Sequence, residues 1–319
     1  MKQVVEMSTG IDYYSQSRIK TYRRCPKAHD YRYLQGLTRR TSGPQLSRGV
    51  TIHEFLDARA LGQDPLPLLE KYKKMYNELW EEEQQEYSSP DELWGLYQRY
   101  CKKYENDTLN YRNRSEIEIT ARYNGRLFKG FIDKLPEDQM GRVWVCDHKT
   151  HKIIPDEAAR FSDIQTILYF WAARENGERV DGVLWDYIRT KPPTVPELLK
   201  KGGLTRRKDL DCDYDTFLKA VRDNNLNPAD YQVELERCKT KVFFQRVFLP
   251  KPGEELIQQV VTDFFDTAIQ IDRSIETGCA PRNMTRECKS CSYYPICSLE
   301  VRGMDTDLVR KQMYTLKTA

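Results

Sequence analysis

Residues 115–149, SEIEITARYNGRLFKGFIDKLPEDQMGRVWVCDHK, decide the fold. Apolar and polar residues alternate through most of this stretch, the period of a half-buried strand. Three successive strands are predicted, over 115–123, 127–135 and 142–149. Asn124-Gly125 is a strong hairpin turn between the first two, and 136–141 forms a looser second connection. Downstream, 161–176 reads as a helix stopped by Gly177. Two further strands follow over 180–189 and 242–248, and a long helix runs over 254–277. Helix, three strands, helix, strand is an α/β pattern, with a mixed central sheet flanked by helices.

Upstream of the strands the period is helical. Ser15 and Ser17 can each cap a helix, which Pro26 interrupts or restarts. A second amphipathic helix is expected over 47–61, carrying Arg48, His53 and Glu54. Residues 62–112 read as a helical insertion broken at Ser88-Ser89-Pro90. Residues 191–240, with Lys-Pro-Pro-Thr and Lys-Gly-Gly, read as an irregular, partly mobile insertion with one helix near 214–223. The expected organisation is one domain over 1–302 and a tail over 303–319.

Composition narrows the class of protein. With 39% hydrophobic residues, 20 Tyr, 11 Phe and 5 Trp, the 319-residue chain can bury a core, which excludes wholesale disorder. It holds no apolar run long enough to cross a bilayer, and MKQVVEMSTG lacks the apolar stretch of a secretory signal. A soluble, intracellular, cytoplasmic protein is expected. Net charge is only +3, but eight bases against one acid lie between Arg18 and Arg40, and seven acids without a base between Glu78 and Glu92. Such asymmetry permits polyanion binding at one end, although on charge alone two solvated helix faces explain it as well.

Five of the nine cysteines (Cys101, Cys146, Cys212, Cys238 and Cys279) are scattered and read as packing or surface residues. Cys288, Cys291 and Cys297 are clustered as C-x2-C-x5-C and ask for a fourth ligand.

The chemistry concentrates in Gly130-Phe-Ile-Asp133 and Asp147-His148-Lys149. Strand residues two apart share a face, so Asp147 and Lys149 project together, and Asp133 ends the neighbouring strand. Two convergent carboxylates suit Mg2+ or Mn2+, and a lysine beside them can hold or deprotonate a water. Taken alone, D-x-K more often marks a strand end with a salt bridge. His53 could add a nitrogen ligand, which favours Mn2+. Gln165 and Tyr169, at i and i+4, share one helix face and could hold a phosphate or order Lys149. Glu116 and Glu118 begin the first strand and read as solvated strand ends.

His53, Gly130-x-x-Asp133, Asp147-x-Lys149 and Gln165-x-x-x-Tyr169 occur in the order of RecB-like PD-(D/E)XK nucleases, which this chain resembles over 17–297. Cys25 in Tyr-Arg-Arg-Cys-Pro, with Cys288, Cys291 and Cys297, resembles the iron–sulfur staple of AddB nuclease domains and CRISPR-adaptation exonucleases. Asp-His-Lys stands where Glu-x-Lys is frequent, a shorter carboxylate also found in the family.

The resemblance implies a restriction-endonuclease-like core with a [4Fe–4S] cluster on the four cysteines, although thiolates suit Zn2+ equally well. It implies a catalytic metal held by His53, Asp133, Asp147 and the backbone carbonyl of His148, with Lys149 at the attacking water. DNA is the implied partner, touched by Arg18, Arg23, Arg24, Arg189 and Lys191. The implied activity is a DNA exonuclease preferring single-stranded ends, 5′→3′, in recombination, repair or replication. The rival readings are a non-catalytic iron–sulfur DNA-binding module and a DNA-trimming nuclease of CRISPR adaptation.

Overall fold

A computed structural model of the chain describes residues 11–40, 44–111, 114–161 and 164–316. The first helix, α1 (Gln16–Arg24), is capped by Ser15, whose hydroxyl accepts the Arg18 amide. Pro26 restarts the chain as α2 (Pro26–His29), which runs into a π-helical turn and the short strand β1 (Leu37–Arg39). Helices α3 (Pro44–Ala60), α4 (Leu66–Asn77), α5 (Glu81–Gln84) and α6 (Pro90–Lys103) follow. The Ser88-Ser89-Pro90 break is a capping box: Ser89 accepts the Glu92 amide, Glu92 accepts the Ser89 amide, and Pro90 begins α6.

Strands β2 (Ile117–Tyr123) and β3 (Arg126–Ile132) form the expected hairpin, with Asn124 and Gly125 at φ 47° and 80°. Both values suit a two-residue turn whose twist matches its strands. The chain continues through β4 (Trp144–His151), α7 (Glu157–Phe161), α8 (Gln165–Glu175) and β5 (Gly182–Arg189). Then come α9 (Tyr214–Asp223), α10 (Gln232–Lys239), β6 (Phe244–Pro250) and α11 (Glu254–Thr277). The last elements are α12 (Tyr294–Val301), α13 (Asp307–Met313) and β7 (Tyr314–Leu316).

Strands β4 and β5 are parallel, from Trp144 opposite Gly182 to His151 opposite Arg189, and β6 is antiparallel to β5. The α7–α8 crossover makes the parallel pairing possible. The hairpin meets this sheet through a short bridge in which Lys134 and Cys146 exchange amides and carbonyls. Helix α8 is apolar on all sides because it is packed between the hairpin, the sheet and α11. Its own Leu168 and Ala172 share a buried core with Phe128, Ile132, Val145, Val183, Phe264 and Phe265. A second core joins α3, α4 and α6 to Ile188 and Phe244 of the sheet, so the helical insertion is docked on the sheet rather than free of it.

Two expectations need correction. In 191–240 the expected helix is present as α9. A 3-10 turn and α10 follow it and enclose with it a core around Phe217, Val221, Tyr231 and Leu235, while 191–213 carries no helix or named strand. The stretch set apart as a tail carries α13 and β7, and β7 pairs antiparallel with β1. Tyr314 there is buried and stacks on Tyr293 at 5.9 Å between ring centroids.

Gly182 is needed for close approach. A Cβ at this position would lie 2.5 Å from the Leu249 carbonyl oxygen and 2.6 Å from the Trp144 ring. Gly182→Ala is expected to destabilise the protein by about 1–3 kcal/mol, as overpacking does in a filled core. Urea unfolding with an unchanged m-value and a lowered midpoint checks it.

Candidate active site

The bridge between hairpin and sheet brings the two carboxylates together. Asp133 follows β3 directly, and its Oδ2 accepts the His148 amide at 2.8 Å. Asp147 lies on β4, and its Oδ2 receives the Lys149 ammonium at 2.7 Å and the Thr166 hydroxyl at 2.8 Å. Lys149 Nζ also donates to Gln165 Oε1 at 3.1 Å, and Gln165 Nε2 donates to the Tyr169 hydroxyl at 2.9 Å. Asp147, Lys149, Gln165 and Tyr169 are therefore one hydrogen-bonded line. Gly130 makes room for its far end, since a Cβ there would lie 2.6 Å from the Tyr169 ring.

His53, on α3, places Nδ1 3.7 Å from Asp133 Oδ2. Burial holds its imidazole below its usual pKa, against the opposing pull of Asp147 and Asp57. The Asp133 carboxyl is 14% exposed and is pushed up to about 7, first by burial and then by the charge of Asp147. Burial, followed by Asp147, also raises the Tyr169 hydroxyl to about 12.

A carboxylate pair that resists full ionisation is what a divalent cation relieves, and the oxygen-rich donors with one imidazole fit Mg2+ or Mn2+. Among the described residues, no three His, Cys, Asp or Glu side chains are grouped closely enough to hold a metal ion by themselves.

Behind the site lie Asp186, Tyr100, Arg246, Asp107 and Lys134, which the sequence did not single out. The His148 ring is buried, with Nδ1 3.3 Å from Asp186 Oδ2. Asp186 Oδ2 also receives the Tyr100 hydroxyl and, at 3.2 Å, Arg246 Nε. Arg246 in turn spans both Asp107 oxygens at 2.8 and 2.9 Å. A single aspartate inside the apolar run Val183-Leu-Trp-Asp186-Tyr-Ile188 was the available signal. Lys134 is wholly buried, and its ammonium meets Asp57 of α3 and, at 2.6 Å, the Ser115 hydroxyl. Glu116, at φ 48°, precedes β2 and gives its amide to the Asp133 carbonyl; burial raises its carboxyl pKa. Glu118 is half-exposed and pairs with Lys129 at 2.9 Å.

The expected DNA-contacting bases mostly have protein partners. Arg189 grips Asp211 with two nitrogens, and Lys191 joins the same carboxylate at 3.0 Å. This cluster anchors the 191–240 insertion. Arg23 Nε donates to Thr267 Oγ1 at 2.9 Å, which ties α1 to α11. Arg18 donates to the Tyr13 carbonyl and lies 4.9 Å from the Tyr33 ring centroid. Arg24 stands at the rim of another feature, a cavity of about 450 Å3 that Cys25, Cys288, Cys291 and Cys297 all line. Here the two ends of the chain meet: the Lys27 amide donates to the Pro281 carbonyl, and Asn283 Nδ2 to the Arg24 carbonyl.

The sequence pattern of the PD-(D/E)XK nuclease superfamily matches residues 13–298. Among solved structures, the fold is similar to that of a "putative exonuclease" from Eubacterium rectale, at 13% identity and a TM-score of 0.50, over 94% of this chain and 97% of that one. The structure of SSO0001 overlaps 72% of this chain and 80% of its own, at 15% identity and a TM-score of 0.30, too low to bear on the fold. Comparison with curated proteins gave no match.

The position of Asp133 sets a pH dependence. Its folded pKa lies above the 3.8 of a free carboxyl, so the metal-free folded state holds this proton more tightly than the unfolded chain. The stability it contributes is complete below about pH 4 and is lost as pH rises toward about 7. Asp133→Asn should remove this loss and stabilise the EDTA-treated protein at about pH 8 by on the order of 2–4 kcal/mol. Thermal unfolding of both proteins at about pH 5 and about pH 8 checks it.

Proposed function

Because the chain belongs to the PD-(D/E)XK nuclease superfamily, we propose that it is a metal-dependent DNA exonuclease acting on single-stranded ends. The observation that carries this reading is the hydrogen-bonded line Asp147–Lys149–Gln165–Tyr169 beside Asp133. Nucleases of this superfamily generally use Mg2+ or Mn2+. His53, Asp133, Asp147 and the His148 carbonyl would hold that ion, whose chemistry is to offset charge on the scissile phosphate. Lys149, held between Asp147 and Gln165, would position the attacking water by donating a hydrogen bond to its oxygen. Gln165 and Tyr169 keep the ammonium in place. The 5′→3′ direction and a role in recombination, repair or replication belong to the same proposal.

We propose further, from the same resemblance, that Cys25, Cys288, Cys291 and Cys297 hold a [4Fe–4S] cluster between the chain ends. Four thiols around one cavity are the donor set of such a cluster, and the guanidinium groups of Arg24 and Arg282 line the same cavity. Its role is structural, to clip the basic N-terminal segment to the region after α11.

Two outcomes are expected. With Mn2+ or Mg2+, single-stranded DNA labelled at the 5′ end should release short products from the outset. Asp147→Ala and Lys149→Ala should each slow this by about 100- to 1,000-fold without unfolding the protein. Internal cutting alone would remove the exonuclease assignment, and full activity in Asp147→Ala would remove the metal assignment. Anaerobically purified protein should be brown, with about four iron and four acid-labile sulfide per chain. Cys25→Ala should bleach it and lower its melting temperature, whereas Cys101→Ala should do neither. One tightly held Zn2+ without sulfide would replace the cluster with a zinc knot.

A further inference from the structure

Beside the outer end of the Lys149–Gln165–Tyr169 line lies a second cavity, of about 470 Å3. Tyr13, Lys20, Lys129, Phe131, Gln165 and Tyr169 are among its walls. Two of these are aromatic rings that the fold leaves in solvent: Tyr13 and Phe131 are each 42% exposed. Lys129 Nζ lies between them, 5.5 Å from the Tyr13 centroid and 5.6 Å from that of Phe131. The backbone fixes this arrangement. The Tyr14 amide donates to the Leu127 carbonyl at 2.8 Å, and the Lys129 amide to the Tyr14 carbonyl at 2.9 Å, so the segment entering α1 lies along the open edge of β3. Phe131 and Lys129, two apart on β3, share a face.

Aromatic faces interleaved with cations are the usual platform for unpaired bases. The ring accepts a base of any sequence, and the ammonium groups accept its phosphates. Duplex bases are already stacked on one another and cannot use such a platform without being opened. We infer that Tyr13 and Phe131 stack bases of a single DNA strand next to the scissile phosphate, with Lys20 and Lys129 on its backbone. Lys129 is shared with Glu118 at 2.9 Å, on the exposed side of the hairpin, so a strand phosphate competes for it. The inference deepens the nuclease reading and rests on it for the place of the scissile bond.

The test uses the full chain and a single-stranded oligonucleotide carrying 2-aminopurine, with EDTA present so that no strand is cut. Stacking quenches this base. Wild-type protein should quench it, and Tyr13→Ala and Phe131→Leu should each weaken binding about 5- to 100-fold and abolish the quench. Phe131→Leu keeps an apolar side chain without the ring, and Phe131→Tyr should restore both readouts. Affinity for a blunt duplex should move by less than about twofold, against the stacking loss expected on a single strand. Equal quenching by wild type and Phe131→Leu, or equal losses on duplex and single strand, would overturn the stacking site. Cleavage with Mn2+ separates the two readings. Protein that quenches but never cuts keeps the platform and loses the nuclease. Protein that cuts, while Tyr13→Ala and Phe131→Leu bind as wild type does, keeps the nuclease and loses the platform.

Discussion

The arrangement of the site depends on a buried ammonium. Lys134 lies directly after Asp133, at the bridge that joins the hairpin to β4, and is 0% exposed. A lone charge in such a place is very costly, so the fold has to bring Asp57 to it. Asp57 lies on α3, one turn beyond His53, so satisfying Lys134 also sets the helix that carries the imidazole. Ser115 closes the group by donating to Asp57 and accepting from Lys134, at 2.6 Å in each case. One pairing thus aligns three separate pieces of chain, and two of them bear candidate metal ligands.

A second buried network works from the opposite side. Asp186, in the middle of β5, collects His148, Tyr100 and Arg246, and Arg246 reaches on to Asp107. Bonds from Tyr100 and Asp107 cross from the helical insertion into the sheet, so the insertion reaches the His148 whose amide holds Asp133. Burial keeps these charge-assisted bonds out of competition with water, and the same burial would make the loss of any one partner expensive. Asp186 stays ionised there: its pKa is below the usual carboxylate value, because the bonds to His148, Arg246 and Tyr100 outweigh burial.

Features governed by local pattern could be read from the sequence. Helix α11 spans the expected 254–277, since its apolar face repeats at helical spacing and Gly278, at φ 64°, ends it. The Asn124-Gly125 hairpin was legible for the same reason. The set His53, Asp133, Asp147, Lys149, Gln165 and Tyr169 rested instead on an order along the chain that resembles a family's, not on a local period. Partners far along the chain were not legible. Asp186 and Tyr100 are 86 residues apart, and no local rule pairs them. Strands β1 and β7 have three residues each, too few to show a period, and pair across nearly the whole chain. Arg189 and its partner Asp211 are 22 residues apart, again beyond any local rule. The core of 191–240 was hidden because its apolar residues are spaced by loops rather than by a single repeat.

That insert leaves the sheet and rejoins it at almost one point. The Arg189 amide donates to the Phe243 carbonyl at 2.9 Å, so the two necks of a roughly fifty-residue excursion are hydrogen-bonded neighbours. It carries its own apolar centre, and Lys102 on α6 reaches Asp215 on α9 at 3.1 Å across an exposed rim. In modular terms it is a cassette, bounded by two necks at β5 and β6, while the carboxylates lie on and beside the neighbouring strand β4.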